Sequence, residues 1–229
     1  MINILKKVYN KLHIIHNIYI KHKFFSKKNS YSMEGEDLEI LKILNNIENG
    51  FFVDAGAYHP LHINNTYLLY KKNWRGINID LSEFSIDLFN YIRPEDININ
   101  VAVSNSDNEV TFYAQKKLSQ LSTIRKNVAK ERMQGFIGEQ KIKSSKLTTI
   151  LNNSKYKNRK IDFLDIDLEG ADFEALKSLD FEIYRPKLIS IEIYDKDIES
   201  SDIYNYLKNL NYTKKWSGTY SHIFLDDRI

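Results

Sequence analysis

At 229 residues, with 42% hydrophobic and 28% charged side chains, the chain has the balance of a soluble globular protein with one sizeable core and an appendage. It has no cysteine, which excludes a disulfide framework, a thiolate metal site and a cysteine nucleophile, and fits a reducing cytoplasm. The net charge of +3 is uneven: residues 1–30 carry seven lysines and no acid, so the remainder is net acidic and reads against nucleic-acid binding.

Residues 1–30 read as a basic amphipathic N-terminal helical segment, and 31–229 as the main domain. In the segment Lys6, Lys7, Lys11, Lys21, Lys23, Lys27 and Lys28 are interleaved with Ile4, Leu5, Val8, Leu12, Ile15, Ile18 and Tyr19 at helical spacing. Such a helix suits either peripheral contact with the anionic inner face of a membrane or packing in a homodimer. It does not suit a signal peptide, because histidines break the run from Leu12 to Ile20 and no small-residue cleavage site follows. No stretch reaches the length of a transmembrane helix.

From Tyr31 to Leu44, Ser32 can cap a helix with Glu36 and Asp37 in its first turn and Leu38, Leu41 and Leu44 on one face. Gly50 to Pro60 then reads GFFVDAGAYHP. Its short apolar run predicts a strand over 51–54 buried on both faces of a parallel sheet, with Asp54 at its carboxyl end. A helix is expected over 64–73, capped by Asn64, with Trp74 in the core. Residues 75–80, RGINID, form a second strand ending in Asp80, and a helix over 82–92 stops at Arg93-Pro94.

A third strand is expected over 97–103 and a short extra one over 109–113. Residues 115–145 are polar and lysine-rich, and read as an irregular cover over the site with one short helix. The fourth strand spans 161–167 with a helix over 171–179, and the fifth spans 188–193. A helix over 198–210 precedes an antiparallel pair, 212–217 and 222–225, around the Ser217-Gly218 turn. The alternation gives an α/β three-layer sandwich, mostly parallel, with a C-terminal antiparallel hairpin at its edge.

In such a sheet the ligand lies beyond the carboxyl ends of the strands, where strand order reverses. Asp54, Asp80, Asp165, Asp167, Glu169 and Glu192 all gather there, although Asp167 and Glu169 fit equally a helix N-cap and a first-turn acid. A pyrophosphate needs several glycines at a helix N-terminus. Here Gly56 is followed by Ala57, Tyr58, His59 and Pro60, which suits a nucleoside ligand without a pyrophosphate, such as S-adenosylmethionine. Asp80, 24 positions after Gly56, is placed to accept from ribose hydroxyls.

These residues also carry a resemblance. YSMEGED, FFVDAGAYHP followed by NNTYLLYKKNWRGINID, ININVAVS, LTTILN, and IDFLDIDLEGADFEALKSL with RPKLISIEI occur in this order from Tyr31 onward. The chain thereby resembles the FkbM-type S-adenosylmethionine-dependent methyltransferases. It departs from them at Met33, often glutamine in the family, and at Asp165, often serine or lysine. The resemblance implies the class I methyltransferase (Rossmann-like) fold and O-methylation of sugar, polyketide or glycan hydroxyls. By matching position it places Asp54, Gly56 and Ala57 on the methionine side and Asp80 on the ribose. Asn100 to Ala102 would lie beside the adenine, Glu34 near the amino acid end, and Asp167 to Gly170 toward the methyl group and acceptor.

An acceptor hydroxyl must lose its proton, and Asp167, Asp165 and His59 are the candidate bases. For His59, packing in the loop beside Pro60 is the simpler reading. A divalent cation (magnesium, calcium or manganese) on Asp167, Glu169 and Glu192 would instead lower the hydroxyl's pKa. The expected protein is a cytoplasmic S-adenosylmethionine-dependent O-methyltransferase acting on a sugar or nucleotide-sugar in capsule or lipopolysaccharide synthesis. Its rivals are a nucleotide-sugar dehydrogenase or epimerase, disfavoured by the lack of a glycine-rich turn, and a non-catalytic adenosine-ligand binding module.

Overall fold

Apolar runs with few interruptions form the inner strands of the computed structural model, which describes residues 2–21 and 29–228. In chain order the strands are β1 (Phe51–Ala55), β2 (Arg75–Asp80), β3 (Ile97–Asn100), β4 (Ala102–Val103), β5 (Glu109–Ala114), β6 (Gly138–Ser145), β7 (Phe163–Ile166), β8 (Leu188–Glu192), β9 (Tyr212–Ser217) and β10 (Ser221–Asp226). The helices are α1 (Ile2–His16), extended by a π-helical turn to Lys21, then α2 (Glu36–Ile43), α3 (Tyr67–Lys71), α4 (Glu83–Ile92), α5 (Lys126–Arg132), α6 (Leu147–Asn152), α7 (Asp172–Lys177), α8 (Phe181–Tyr184) and α9 (Asp202–Asn209).

Seven strands form one sheet in the order β3-β2-β1-β7-β8-β10-β9. All are parallel except β10, which pairs antiparallel with both β8 and β9. The reversed strand therefore lies inside the sheet rather than at its edge, and the edge strand β9 runs with the others. On one face α2 and α3 bring Ile40, Leu44, Leu69 and Trp74 onto Phe52, Phe163, Leu188 and Ile223. On the other, α6, α7 and α9 bring Leu147, Leu151, Leu176 and Leu207 onto Val53, Ala55, Leu164, Ile166, Ile189 and Ile191. The first face also carries a buried polar row in strict register: Asn78, Asp54, Asp165 and Ser190 are successive partners across β2, β1, β7 and β8.

Several expectations need correction. The inward residues of α2 are Ile40 and Leu44, while Leu38 is exposed, because Asp37 on the same face is buried holding the chain before the helix. It accepts from the Tyr31 amide at 2.6 Å and from the Ser30 and Ser32 hydroxyls. Ser32 does receive the Asp37 amide at 3.3 Å, although Gly35 stands at the cap. The helix expected over 64–73 shrinks to α3, ending at Asn73 with φ 64, a left-handed stop that asparagine tolerates.

The third strand breaks at Val101. Asn100 Nδ2 donates to the Asp80 and Leu81 carbonyls, and the chain then leaves the main sheet as β4. There β4, the expected extra strand β5, and β6 form a second, three-stranded sheet, of which β6 lies inside the region expected to be irregular. β6, GEQKIKSS, carries too few apolar side chains to announce itself, and pairing with β5 holds it. The helix over 198–210 is split into a 3₁₀ turn and α9, whose cap Ser201 accepts from Tyr204 N at 3.1 Å.

α1 packs on α4. The His13 ring stacks on Phe84 at 4.3 Å, and Asn10 donates to Asp87 at 2.6 Å. Ile14 and Ile18 join a cluster with Leu61, Phe84 and Leu88. Lys23, Lys27 and Lys28 of the basic segment lie outside the described residues. Among the described residues no helix is long and apolar enough to cross a membrane.

Candidate active site

Strand order reverses between β1 and β7, and there the loops after the two strands nearly touch. The Gly56 and Ala57 amides donate to the Ile79 carbonyl at 2.9 and 3.0 Å, and the Asp167 amide donates to the Ala55 carbonyl at 2.9 Å. Gly56 has φ 94, and a Cβ built on it would stand 1.7 Å from the Asp167 carbonyl oxygen. No other residue type fits this crossing without moving one of the loops.

Two adjoining clefts open above it, sharing Met33, Gly56, Ile63, Asp167 and Glu192. The first runs past Tyr58, Asp80, Leu81, Val101 and Val103 to Ser119, Gln120 and Ser122 of the cover. The second runs past Glu34, Glu36, Asp54, Asn64, Asn65 and Asp165 to Tyr220 and Ser221. Tyr58, Ile63 and Glu169 of the first cleft have φ of 52, 49 and 51, whereas the other non-glycine residues described with positive φ are asparagines. Left-handed backbone on a β-branched or bulky residue is costly, and here it is confined to the cleft wall.

Asp80 is held by backbone. Its Oδ2 accepts from Tyr58 N at 2.8 Å and its Oδ1 from Ser82 N at 2.7 Å, leaving acceptor capacity on a carboxylate that lines the cleft. Burial pushes its pKa up to about 6, against the pull of those two amides. The apolar side chains of Ile79, Leu81, Val101 and Val103 lie alongside.

Asp54 is buried and accepts from Thr66 Oγ1 at 2.7 Å and Asn64 Nδ2 at 3.3 Å. The fully buried Arg93 guanidinium donates to Thr66 Oγ1 at 2.8 Å and to Asn64 Oδ1 and the Pro60 carbonyl, both at 2.6 Å. Arg93 thus fastens the loop from Pro60 to Thr66 that walls the second cleft. Asp165, opposite Asp54 in register, accepts from Asn65 at 3.2 Å. Burial first, and the Asp54 charge second, raise it well above the carboxylate range.

Asp167, Glu169 and Glu192 each offer an oxygen within 4.8 Å of the others. Burial raises all three; Asp167 rises well above its usual range, with Glu192 next in effect, and Glu192 is pushed up to about 7. A side-chain interaction between Asp167 and Glu192 raises the first and lowers the second, against the burial that raises both. Tyr194 donates to Glu192 and to Glu169, and Arg132 of the cover pairs with Glu169 at 2.8 Å while stacking on the Tyr194 ring at 3.8 Å. The cover is further tied down by Thr123 Oγ1, which donates to the Glu169 carbonyl at 2.8 Å.

Of the residues expected at the site, Glu34, Asp54, Gly56, Ala57, Asp80, Asp165, Asp167, Glu169 and Glu192 line the two clefts. Glu34 also accepts from the Thr219 amide at 2.6 Å, which pins it to the turn before β10. Three candidates do not line either cleft. His59 is fully buried, its Nδ1 accepting from Leu61 N at 3.1 Å, and its ring belongs to the packing of the loop. Asn100 turns back onto the β2 loop, and Ala102 is buried; Val101 and Val103 present their side chains instead. Sequence reasoning gave no site role to Arg93, Tyr194, Ile63 or Glu36, while the 119–122 stretch belongs to the cover it expected. The left-handed Ile63 leaves no trace in composition, and an arginine before a proline signals only the end of a helix.

A family model described as "Methyltransferase FkbM domain" matches residues 54–214. No curated protein matches the sequence. The crystal structure of methyltransferase FkbM from Methylobacillus flagellatus superposes with a TM-score of 0.55 at 12% identity, over 85% of this chain and 48% of that one. The chain thus spans about half the length of that protein, and the likeness bears on fold alone. A TehB-like SAM-dependent methyltransferase from Corynebacterium glutamicum gives a TM-score of 0.44 at 10% identity, over 95% of this chain and 100% of that one. With the family model covering the sheet from β1 into β9 and the cleft at its reversal, the chain belongs to the FkbM family of S-adenosylmethionine-dependent methyltransferases.

Proposed function

We propose that the protein transfers a methyl group from S-adenosylmethionine to a sugar hydroxyl. The observation that carries this is the acidic lining of the clefts. Eight acids (Glu34, Glu36, Asp54, Asp80, Asp165, Asp167, Glu169 and Glu192) line them, with no lysine, arginine or histidine among the described residues of the lining. A lining of carboxyls suits a ligand bearing an ammonium and a sulfonium, whose positive charges favour their ionised forms, and offers a pyrophosphate no cation. For the same reason an uncharged sugar suits the acceptor side better than a nucleotide-sugar. The setting in surface-glycan synthesis follows from the resemblance.

When bound, S-adenosylmethionine supplies a methyl group already activated by its sulfonium. Asp80 would hold the ribose hydroxyls on its two backbone-fixed oxygens, with Leu81, Val101 and Val103 against the base. Glu34 and Asp54 would face the ammonium end. The Asp167–Glu192 pair borders both clefts and would take the acceptor's proton as its oxygen attacks, a contribution on the order of 10²–10⁴-fold. Asp165 is the alternative base, facing the second cleft beside Asn65. Holding the two reactants together would contribute roughly 7–11 kcal/mol.

The spacing of Asp167, Glu169 and Glu192 also supports a second reading, with a divalent cation offsetting the burial that raises these carboxyls. Glu169 would then exchange Arg132 for the ion.

Calorimetric titration with S-adenosylmethionine, S-adenosylhomocysteine and NAD, with and without EDTA, followed by methyl transfer to neutral and nucleotide-linked sugars, tests these readings. Binding of the first two ligands but not NAD is expected, with turnover on a neutral glycan. No binding of either refutes the proposal. Binding without turnover on any glycan favours a binding module. Activity unchanged by exhaustive chelation removes the cation.

A further inference from the structure

The face of α1 that points away from the protein plays no part in the site, yet it is apolar. With 3.6 residues per turn, Asn10, His13, Ile14 and Asn17 fall on the side that packs against α4. Leu5, Val8, Leu12 and the half-buried Ile15 fall on the opposite side, and the first three are 64%, 51% and 60% exposed. The exposed Lys11 borders this stripe, and the exposed Lys7 lies one step further round, beside Ile14. Beyond the helix Tyr19 and Ile20 are exposed, with Tyr91 of α4 edge-on to Tyr19 at 6.4 Å and Lys21 alongside. Lys117 of the cover reaches over the Tyr9 ring at 5.8 Å.

An apolar stripe in water needs an occupant, and a second copy of this helix fits poorly. The spacing Leu5, Val8, Leu12, Ile15 follows a heptad, but it covers only two repeats before the π-helical turn at Asn17 interrupts it. Residues 1–30 hold no acid, so two copies would set lysine against lysine with nothing to pair them. Lysines bordering an apolar stripe do match a surface that is negative outside and apolar beneath, where the stems lie along the hydrocarbon and the ammonium groups reach the headgroups.

We propose that the outward face of α1 docks the protein onto an anionic lipid bilayer. The proposal is independent of the acceptor's identity. Docking would also bear on the cleft, because Leu118 of the cover shares an apolar cluster with Ile14 and Ile18, one residue before Ser119 of the cleft wall.

The test is flotation of the full chain with vesicles of phosphatidylcholine mixed with phosphatidylglycerol, against pure phosphatidylcholine. Binding to the mixed vesicles at low salt, weakening as salt rises, is expected. Each of Lys7→Gln, Lys11→Gln and Lys21→Gln should lower partitioning about fivefold. Val8→Glu with Leu12→Glu should abolish it while thermal unfolding and S-adenosylhomocysteine affinity stay as in the wild type. Equal partitioning to both vesicle types, or wild-type binding by the double glutamate variant, would overturn the proposal. So would a concentration-dependent dimer, seen by sedimentation, that the double variant dissolves, for a second copy would then be the occupant.

Discussion

Asp80→Asn separates the ribose reading from a structural one, because the two predict opposite balances of binding and stability. In the wild type each carboxylate oxygen accepts one backbone amide, from Tyr58 at 2.8 Å and from Ser82 at 2.7 Å. Two further hydrogen bonds from ribose hydroxyls to an ionised carboxylate would be worth about 1.5–3 kcal/mol each. Asparagine keeps one acceptor oxygen and turns an NH₂ group toward the other amide, so one ribose bond is lost and the other becomes a neutral bond of about 0.5–1.5 kcal/mol. The loss is roughly 2–4 kcal/mol, or S-adenosylhomocysteine bound about 30- to 1000-fold more weakly. Stability should move little at pH 8. One backbone amide loses its acceptor, but the charge whose burial raises the Asp80 pKa to about 6 is also gone. Calorimetry reads the first quantity and thermal unfolding the second. A dissociation constant within about threefold of wild type, in a variant that unfolds normally, would refute the ribose role.

Other outcomes follow from the same geometry. Gly56→Ala combines a left-handed φ, costing about 1–2 kcal/mol, with a clash against the Asp167 carbonyl, so guanidinium unfolding should show marked destabilisation and any folded protein should bind the cofactor at least tenfold more weakly. Wild-type stability in this variant would mean the loops do not cross as described. Arg93→Ala strips three donors from the loop and leaves Asp54 buried; about 3–5 kcal/mol should be lost. Arg93→Lys should not restore it, since a single ammonium cannot span the Pro60, Asn64 and Thr66 oxygens. For the ligand-free protein, burial raises Asp80 and Asp172 to about 6 and Glu192 to about 7, so between pH 4 and 7 the folded state binds more protons than the unfolded one. Stability must therefore fall as pH rises through that window. A melting temperature that is flat or rising from pH 5 to 8 would contradict the burial of these acids.

The central sheet was legible in the sequence because its inner strands are buried on both faces. FFVDA, GINID and LISIE must be nearly continuous apolar runs to be tolerated there, and a run that ends in an acid marks the open end of the sheet. Of the second sheet β5 was legible and β6 was not, since β6 is held by backbone pairing and exposes its lysines, so side-chain pattern carries little of its information. The site divides along the same line. Gly56 and the acids after each strand follow from the strand pattern. His59, a candidate base by type, takes the packed-loop place that was its simpler reading. Arg93 and Arg132 act through partners 27 or more residues away in sequence, and Tyr194 ties its near neighbour Glu192 to Glu169, 25 residues away, a proximity no local pattern encodes.

The polar row across β2, β1, β7 and β8 also constrains how the chain can assemble. A strand slipped by one residue turns all its side chains to the other face. For β1 or β7 that would press Asp54 or Asp165 into the layer of Val53, Leu164, Ile166 and Ile189, with no donor to receive it. In this sheet, apolar strands of similar composition could otherwise pair in several frames. The two acids make the native frame the one in which both meet Asn64, Asn65 and Thr66. The residues that wall the ligand cleft would thus act, before any ligand arrives, as the key that aligns strands more than a hundred residues apart in the chain.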